Sequence, residues 1–448
     1  MNLSVYRAVA IPKSEEFPER QTMLPVDFPF LVDDDSLEVH APALDYLCYK
    51  FLDNGKYRSL HTVDAEAYDL CKFLRFDSNT ELPIWSITAE DIKDYRNVLE
   101  CEISPQTSDL LSDKTVFRLV ACAIHYCEWG QSVGIVDPHT VLDRKVIRGR
   151  CRSPEEMQLI HTLSSEQMQP NAISDLLPTV ARDSGDHVRA LEMRDWQLVA
   201  AELGPLPLVS GELDPLQELD CRPCRDRLAS HCSLETGLRV DEVANLTKYQ
   251  ILDLRVPEDA PGHHTIRMRI THTKGLHPRY IDMPADLVRA LHIYIDGERR
   301  QCVEQGKRVR PGWKEEPTLF VNHVNAGKHA GLPIKPDTLS HAFRKAVLRA
   351  GLTRTVKKLK QLDLDRQEVF YIQDAAHRYH DLRHTFAIWT YLTEKEAGNA
   401  EPWKIVQARL GHLSLQTTLA YYLAHVREDR RATNAAVFRE VRRMHGGN

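Results

Sequence analysis

One stretch breaks the helical rhythm of this chain and so limits the folds open to it. In "HTIRMRITHTKGLHPRYIDMP" apolar and polar residues alternate on either side of Lys274-Gly275. Period-two alternation around a glycine turn predicts an antiparallel hairpin. Elsewhere the apolar residues mostly return at helical spacing. "ALDYLCYKFL", "AEAYDLCKFLRF", "TAEDIKDYRNVL" and "SDKTVFRLVACAIHYCEWGQSVG" predict four helices, with Ser, Thr or Asp near their starts. The expected fold class is mainly α with a small antiparallel β-sheet.

A chain of 448 residues is too long for one ordinary core. Residues 1–40 are Pro-rich and acidic, with eight acids against three bases, and read as an arm rather than a domain. Residues 41–137 hold the four helices and form the first domain. Residues 138–189 mix short helical pieces with Pro, Ser and Asp and read as a connection. The second domain, 190–448, opens at "RALEMRDWQLVAAELG" and ends in a basic tail. Within it, "CRDRLASHCSLETGLRVDEVANL" predicts two helical pieces around Thr236-Gly237. After a "PTLFVN" strand, helices are expected in "TLSHAFRKAVLRAGL", "HDLRHTFAIWTYLTE" and "PWKIVQARLG", then in the tyrosine-bearing segment beyond them.

The composition, 42% hydrophobic and 27% charged, is that of a soluble globular protein. No apolar run approaches the roughly 18 to 20 residues that span a bilayer. Early charge in "MNLSVYRAVAIPKSEEFPERQ" leaves no room for a signal-peptide core, so the cytoplasm is the expected location, with no membrane partner. The ten cysteines are scattered and read as reduced thiols. "CRPC" (221–224) has zinc-ligand spacing, but no second pair completes a site, so neither metal nor cofactor is expected. The net charge of −6 lies almost wholly in the first 40 residues. Beyond them, residues 344–360 carry seven bases and no acid, a run that by itself usually marks a solvated face.

Four separated pieces fit one chemistry. Arg239 follows a glycine turn in "TGLRVDEVANL", and Lys274 sits at the hairpin tip. His380 and Arg383 are three apart in "HDLRH", so a helix places them on one face. His412 follows Gly411 at an expected helix boundary, and Tyr421 and Tyr422 come nine and ten residues later. Two arginines, a lysine and two histidines without a carboxylate cluster suit an anionic target reached without a metal. Phosphoryl transfer needs positive donors on the non-bridging oxygens, and arginine supplies a rigid fork that stays ionised. A tyrosine phenol is a competent nucleophile where that environment stabilises the phenolate, and a mobile lysine can protonate the leaving oxygen.

"TGLRVDEVANL", "THTKGLHPRYIDMP", "HDLRHTFA" and "LGHLSLQTTLAYY" occur in the order of the tyrosine recombinases, the phage-integrase family, which this sequence resembles over about 190–430. The helices of 42–137 resemble that family's core-binding domain. The resemblance implies a helical DNA-clamp domain and an α+β catalytic domain. It implies cleavage of double-stranded DNA through a 3′-phosphotyrosine, and assembly on DNA as a dimer or tetramer. Arg239 resembles the first catalytic arginine, Lys274 the general acid on the 5′-oxygen, and His380 and Arg383 the His-x-x-Arg pair. His412 resembles the later phosphate donor, and Glu242 the acidic position that orients its neighbours.

Which tyrosine attacks is open. Leu415, Leu419, Tyr422 and Val426 fall on one helical stripe, which turns Tyr421 outward and favours it. The family's commonest spacing from the Leu-Gly-His histidine, nine residues, also selects Tyr421, and a spacing of ten would select Tyr422. His384 reads as turning away from the His-x-x-Arg pair, His272 and His277 as strand or loop residues, and Trp389 and Trp403 as core. Departures from the family pattern are the acidic arm, the 138–189 connection and two insertions, "TRTVKKLKQLDLDRQEVFYIQDAAHRY" and "TEKEAGNAEP". The rival readings are a type IB topoisomerase, which rejoins the same strand, and a non-catalytic DNA-binding protein of the same fold.

Overall fold

The computed structural model describes residues 2–9, 24–53, 60–79, 87–136, 176–178, 189–207, 222–271, 278–363 and 366–411. The chain divides into two compact units, one of residues 1–182 with 357–370, the other of 183–356 with 371–448. The division at 182/183 falls inside the stretch read as a connection.

In the first unit, strands β1 (Leu3–Arg7) and β2 (Pro29–Asp33) pair antiparallel. Helices α1 (Ala41–Cys48), α2 (Leu60–Asn79), α3 (Ala89–Cys101) and α4 (Asp113–Val133) come next. These are the four helices that the apolar spacing predicts. Thr88 and Asp91 cap α3 reciprocally, Ser112 caps α4, and Gly134 ends α4 in the left-handed region. The core gathers Tyr46, Phe73, Tyr95 and Tyr126, with the Tyr46 and Tyr126 rings edge to face at 5.3 Å.

The structure corrects the expectation of an N-terminal arm for its described parts. Leu3, Phe28 and Leu31 are fully buried in this core, and Arg75 Nε donates to the Leu3 carbonyl at 2.8 Å. Average composition misled here. Three of the eight acids are the Asp33–Asp35 run where β2 ends, while the strands themselves carry apolar residues.

The second unit begins with α5 (Met193–Leu203), then α6 (Cys224–Thr236), α7 (Val240–Ala244) and α8 (Lys248–Leu252). Buried on nearly every side, α6 meets the needs of its polar residues internally. Thr236 Oγ1 donates to the Cys232 carbonyl at 2.5 Å, and Ser230 Oγ to that of Asp226 at 2.8 Å. Strands β3 (Thr265–Ile270) and β4 (Arg279–Pro284) pair antiparallel from Thr265↔Pro284 to Ile270↔Arg279, burying Met268, Ile270, Ile281 and Met283. This is the hairpin the alternation predicts, and its tip (272–277), with Lys274, lies outside the described residues.

Helix α9 (Ala285–Tyr294) runs through a π turn (Ile295–Arg299) into α10 (Arg300–Val309). The π turn delivers Arg299, 2% exposed, to the carbonyls of Glu316, Thr318 and Leu319 and to the Glu315 carboxylate at 2.6 Å. Helix α11 (Pro336–Arg349) precedes strands β5 (Thr353–Asp363) and β6 (Arg366–Ala375), and α12 (Tyr379–Glu396) and α13 (Pro402–Leu410) close the described chain.

The β5–β6 pair is a second difference from expectation, which held one sheet. Its apolar residues stand three apart in β5 (Val356, Leu359, Leu362) and consecutively in β6 (Val369–Ile372), so the ribbon leaves no period-two apolar signal. Part of the basic run is paired: Arg344 meets Asp374 at 2.7 Å and Arg349 meets Glu202 at 3.0 Å. Trp389 is core, and Trp403 stacks on Tyr391 at 4.0 Å against it. Among the described residues no helix is long and apolar enough to cross a membrane.

Candidate functional site

The site grows from the glycine that ends α6. Gly237 takes φ +71°, and a Cβ there would stand 2.5 Å from Phe386 Cδ1 of α12, so only glycine fits both demands. The reversed backbone delivers Arg239 to the N-cap of α7. Its amide donates to Glu242 Oε2 at 2.8 Å, and its Nη1 to Glu242 Oε1 at 3.2 Å.

Glu242, 2% exposed, is held from the other side by Arg279, the first residue of β4. Arg279 Nη1 reaches Oε1 at 2.5 Å and Nη2 reaches Oε2 at 2.6 Å, a bidentate pair. Burial by itself would raise the Glu242 carboxyl. The hydrogen bonds and charge of Arg279, with the Arg239 amide and charge, outweigh burial and hold it below the usual carboxylate range.

The third arginine comes from α12. Arg383, 2% exposed, donates Nη1 to the Gly237 carbonyl and Nη2 to the Leu410 carbonyl, the latter at 2.8 Å. Leu410 ends α13, and Gly411 behind it takes φ +69° with the stem of Arg279 against it, where a Cβ would stand 2.6 Å from Arg279 Cδ. The contacts close a ring from Gly237 through Arg239, Glu242, Arg279, Gly411, Leu410 and Arg383 back to Gly237.

The structure thus brings Arg239, Glu242 and Arg383 together. His380 lies one turn before Arg383, exposed in the first turn of α12. His384 does not turn away from the pair as expected. Its ring stands perpendicular to that of His380 at 4.6 Å, because residues four apart share a helix face. Lys274, His412, Tyr421 and Tyr422 lie outside the described residues, although β3 and β4 on either side of Lys274 and Gly411 just before His412 are described.

Arg279 is the residue that sequence reasoning missed. A signal was present: Arg279, Ile281 and Met283 alternate on the buried face of β4, and an arginine on an inward stripe needs a partner. Three arginines against one carboxylate leave the site positively charged, suited to an anion.

Residues 212–429 match the model of the phage integrase family. A curated relative, the tyrosine recombinase XerC of Chlamydia pneumoniae, is 25% identical over 197 residues, 44% of this chain and 46% of the relative. The chain therefore spans less than half of that relative's length. Two solved structures are among those the chain matches. One is XerH site-specific recombinase bound to a palindromic difH substrate, with 15% identity, 90% of this chain and 91% of that chain covered, and a TM-score of 0.47. The other is a lambda integrase dimer bound to a COC′ core site, with 14% identity, 88% and 96% covered, and a TM-score of 0.46.

Proposed function

We propose that this chain belongs to the phage integrase family and is a site-specific recombinase that cuts and rejoins double-stranded DNA through a 3′-phosphotyrosine. The observation that carries the reading is the ring that fixes Arg239 and Arg383 on either side of the Gly237 turn. Two guanidiniums held in place before the substrate arrives can stabilise charge that peaks in a phosphorane-like transition state.

A tyrosine oxygen, Tyr421 or else Tyr422, attacks the scissile phosphorus. The bond to the 5′-oxygen breaks, and Lys274 supplies the proton that makes it a hydroxyl. Arg239, Arg383, His380 and His412 hold the phosphate. A 5′-hydroxyl of another strand then attacks the phosphotyrosine and restores the phenol. One phosphodiester is exchanged for another, so the scheme calls for neither ATP nor metal.

The helices of 41–137 serve as the DNA clamp, 138–189 as the connection and 190–448 as the catalytic domain. The protein acts as a dimer or tetramer on DNA in the cytoplasm.

The test uses a nicked suicide duplex carrying the sequence that the protein selects from a random duplex pool. Wild type should form a covalent adduct, Tyr421→Phe none, and Tyr422→Phe an adduct at normal or reduced rate. The reverse result moves the nucleophile to Tyr422, and adducts in both variants end the tyrosine reading.

A further inference from the structure

We propose that Arg279 is a positioning residue of this site, one that occupies Glu242 so that Arg239 keeps its charge for the scissile phosphate. The inference rests on the functional reading above. Glu242 takes two contacts on each oxygen, and they are unequal. Both guanidinium contacts from Arg279 are short, at 2.5 and 2.6 Å, whereas Arg239 touches the carboxylate through one side-chain nitrogen at 3.2 Å. Exposure runs the same way, with the Arg279 side chain 9% exposed and that of Arg239 24% exposed. The carboxylate belongs electrostatically to Arg279.

Charge and reach explain why such a partner is needed. A carboxylate as buried as Glu242 cannot stand unpaired, and the nearest other cation is Arg239, three residues before it. With Arg279 removed, Glu242 would draw the Arg239 guanidinium into a two-pronged pair of net charge zero. With Arg279 present, the three groups sum to +1, and the unpaired donors of Arg239 can face an anion. Arg279 also packs its stem on Gly411, just before His412, so one side chain ties the β4 end of the Lys274 hairpin to two further parts of the site.

The experiment measures the rate of adduct formation on the same suicide duplex for wild type, Arg279→Met, and Arg279→Met combined with Glu242→Gln. Loss of a fixed donor's charge should slow Arg279→Met roughly 100-fold, with duplex affinity changed by no more than about threefold. Adding Glu242→Gln should recover at least about tenfold of that loss, because no carboxylate remains to claim Arg239. A structural role would not give this recovery, since a second buried change adds damage. If Arg279→Met does not fold, Arg279→Lys carries the same comparison, slower than wild type and faster once Glu242→Gln is added. A single variant at wild-type rate, or a double variant no faster than the single, overturns the inference while the recombinase reading stands. A wild-type protein that forms no adduct overturns both.

Discussion

Arg383 joins the ends of two helices, donating to the Gly237 carbonyl behind α6 and, at 2.8 Å, to the Leu410 carbonyl that closes α13. Helix C-termini present unpaired carbonyls and partial negative charge, and a buried guanidinium satisfies both. Arg383 is therefore a structural residue as well as a proposed phosphate ligand, and Arg239 differs from it in this respect.

Arg383→Ala should leave two buried carbonyls without donors and cost about 2 to 4 kcal/mol of stability, together with loss of DNA cleavage. Arg239→Ala should lose cleavage while costing under about 1 kcal/mol, because its side chain makes one long contact. Urea midpoints beside adduct assays separate the two. Equal destabilisation by both substitutions would contradict the assignment.

Gly237→Ala should destabilise by at least about 2 kcal/mol, since a strained left-handed backbone adds to a clash with a buried ring. The added methyl meets Phe386 at 2.5 and 2.7 Å and Leu410 Cδ2 at 3.0 Å. The companion change Phe386→Leu should relieve part of the loss in melting temperature. An unchanged melting temperature in the single variant would show that the turn yields.

Two buried carboxyls should pull stability in opposite directions with pH. The Glu242 carboxyl is held below the usual range by Arg279. Its contribution is full above about pH 4.3 and is lost as pH falls through its lowered folded value. Burial pushes the Asp69 carboxyl in α2 up to about 7, although Arg118 lies 2.7 Å away and opposes the rise. Its contribution is full below about pH 3.9 and is lost as pH rises through about 7. Melting temperature measured against pH should flatten at the acid end in Glu242→Gln and between about 4 and 7 in Asp69→Asn. Wild-type slopes in the variants would remove these groups as the cause.

Lys274→Ala should slow cleavage of ordinary DNA and recover on a duplex whose 5′-bridging oxygen is replaced by sulfur. A thiolate leaves without a proton, so the general acid becomes dispensable. Equal defects on the two substrates would take Lys274 out of that role.

Features with a period or a motif were legible in the sequence. The four helices of the first unit and the β3–β4 hairpin show as repeats of apolar residues, and the Gly237 turn shows as a glycine between two helical pieces. The β5–β6 ribbon was not legible, because its apolar residues stand three apart in β5 and consecutively in β6 and so show no alternation. The burial of Leu3, Phe28 and Leu31 was hidden by the acids around them. At the candidate site, motif order points to Arg239 and Arg383, whereas Arg279 meets a partner 37 residues away and only the fold joins them. The contact of His384 with His380 is a consequence of helix phase and was within reach.

The π turn at Ile295–Arg299 bears on how this chain tolerates change in length. Such a turn is an α-helix carrying one residue more than its hydrogen bonding needs. Deleting one residue between 295 and 298 would let the helix close to ordinary geometry while the residues beyond it keep their facing. Arg299 would stay on the carbonyls of Glu316, Thr318 and Leu319. The turn is thus a place along 285–309 where a gap of a single residue can be absorbed.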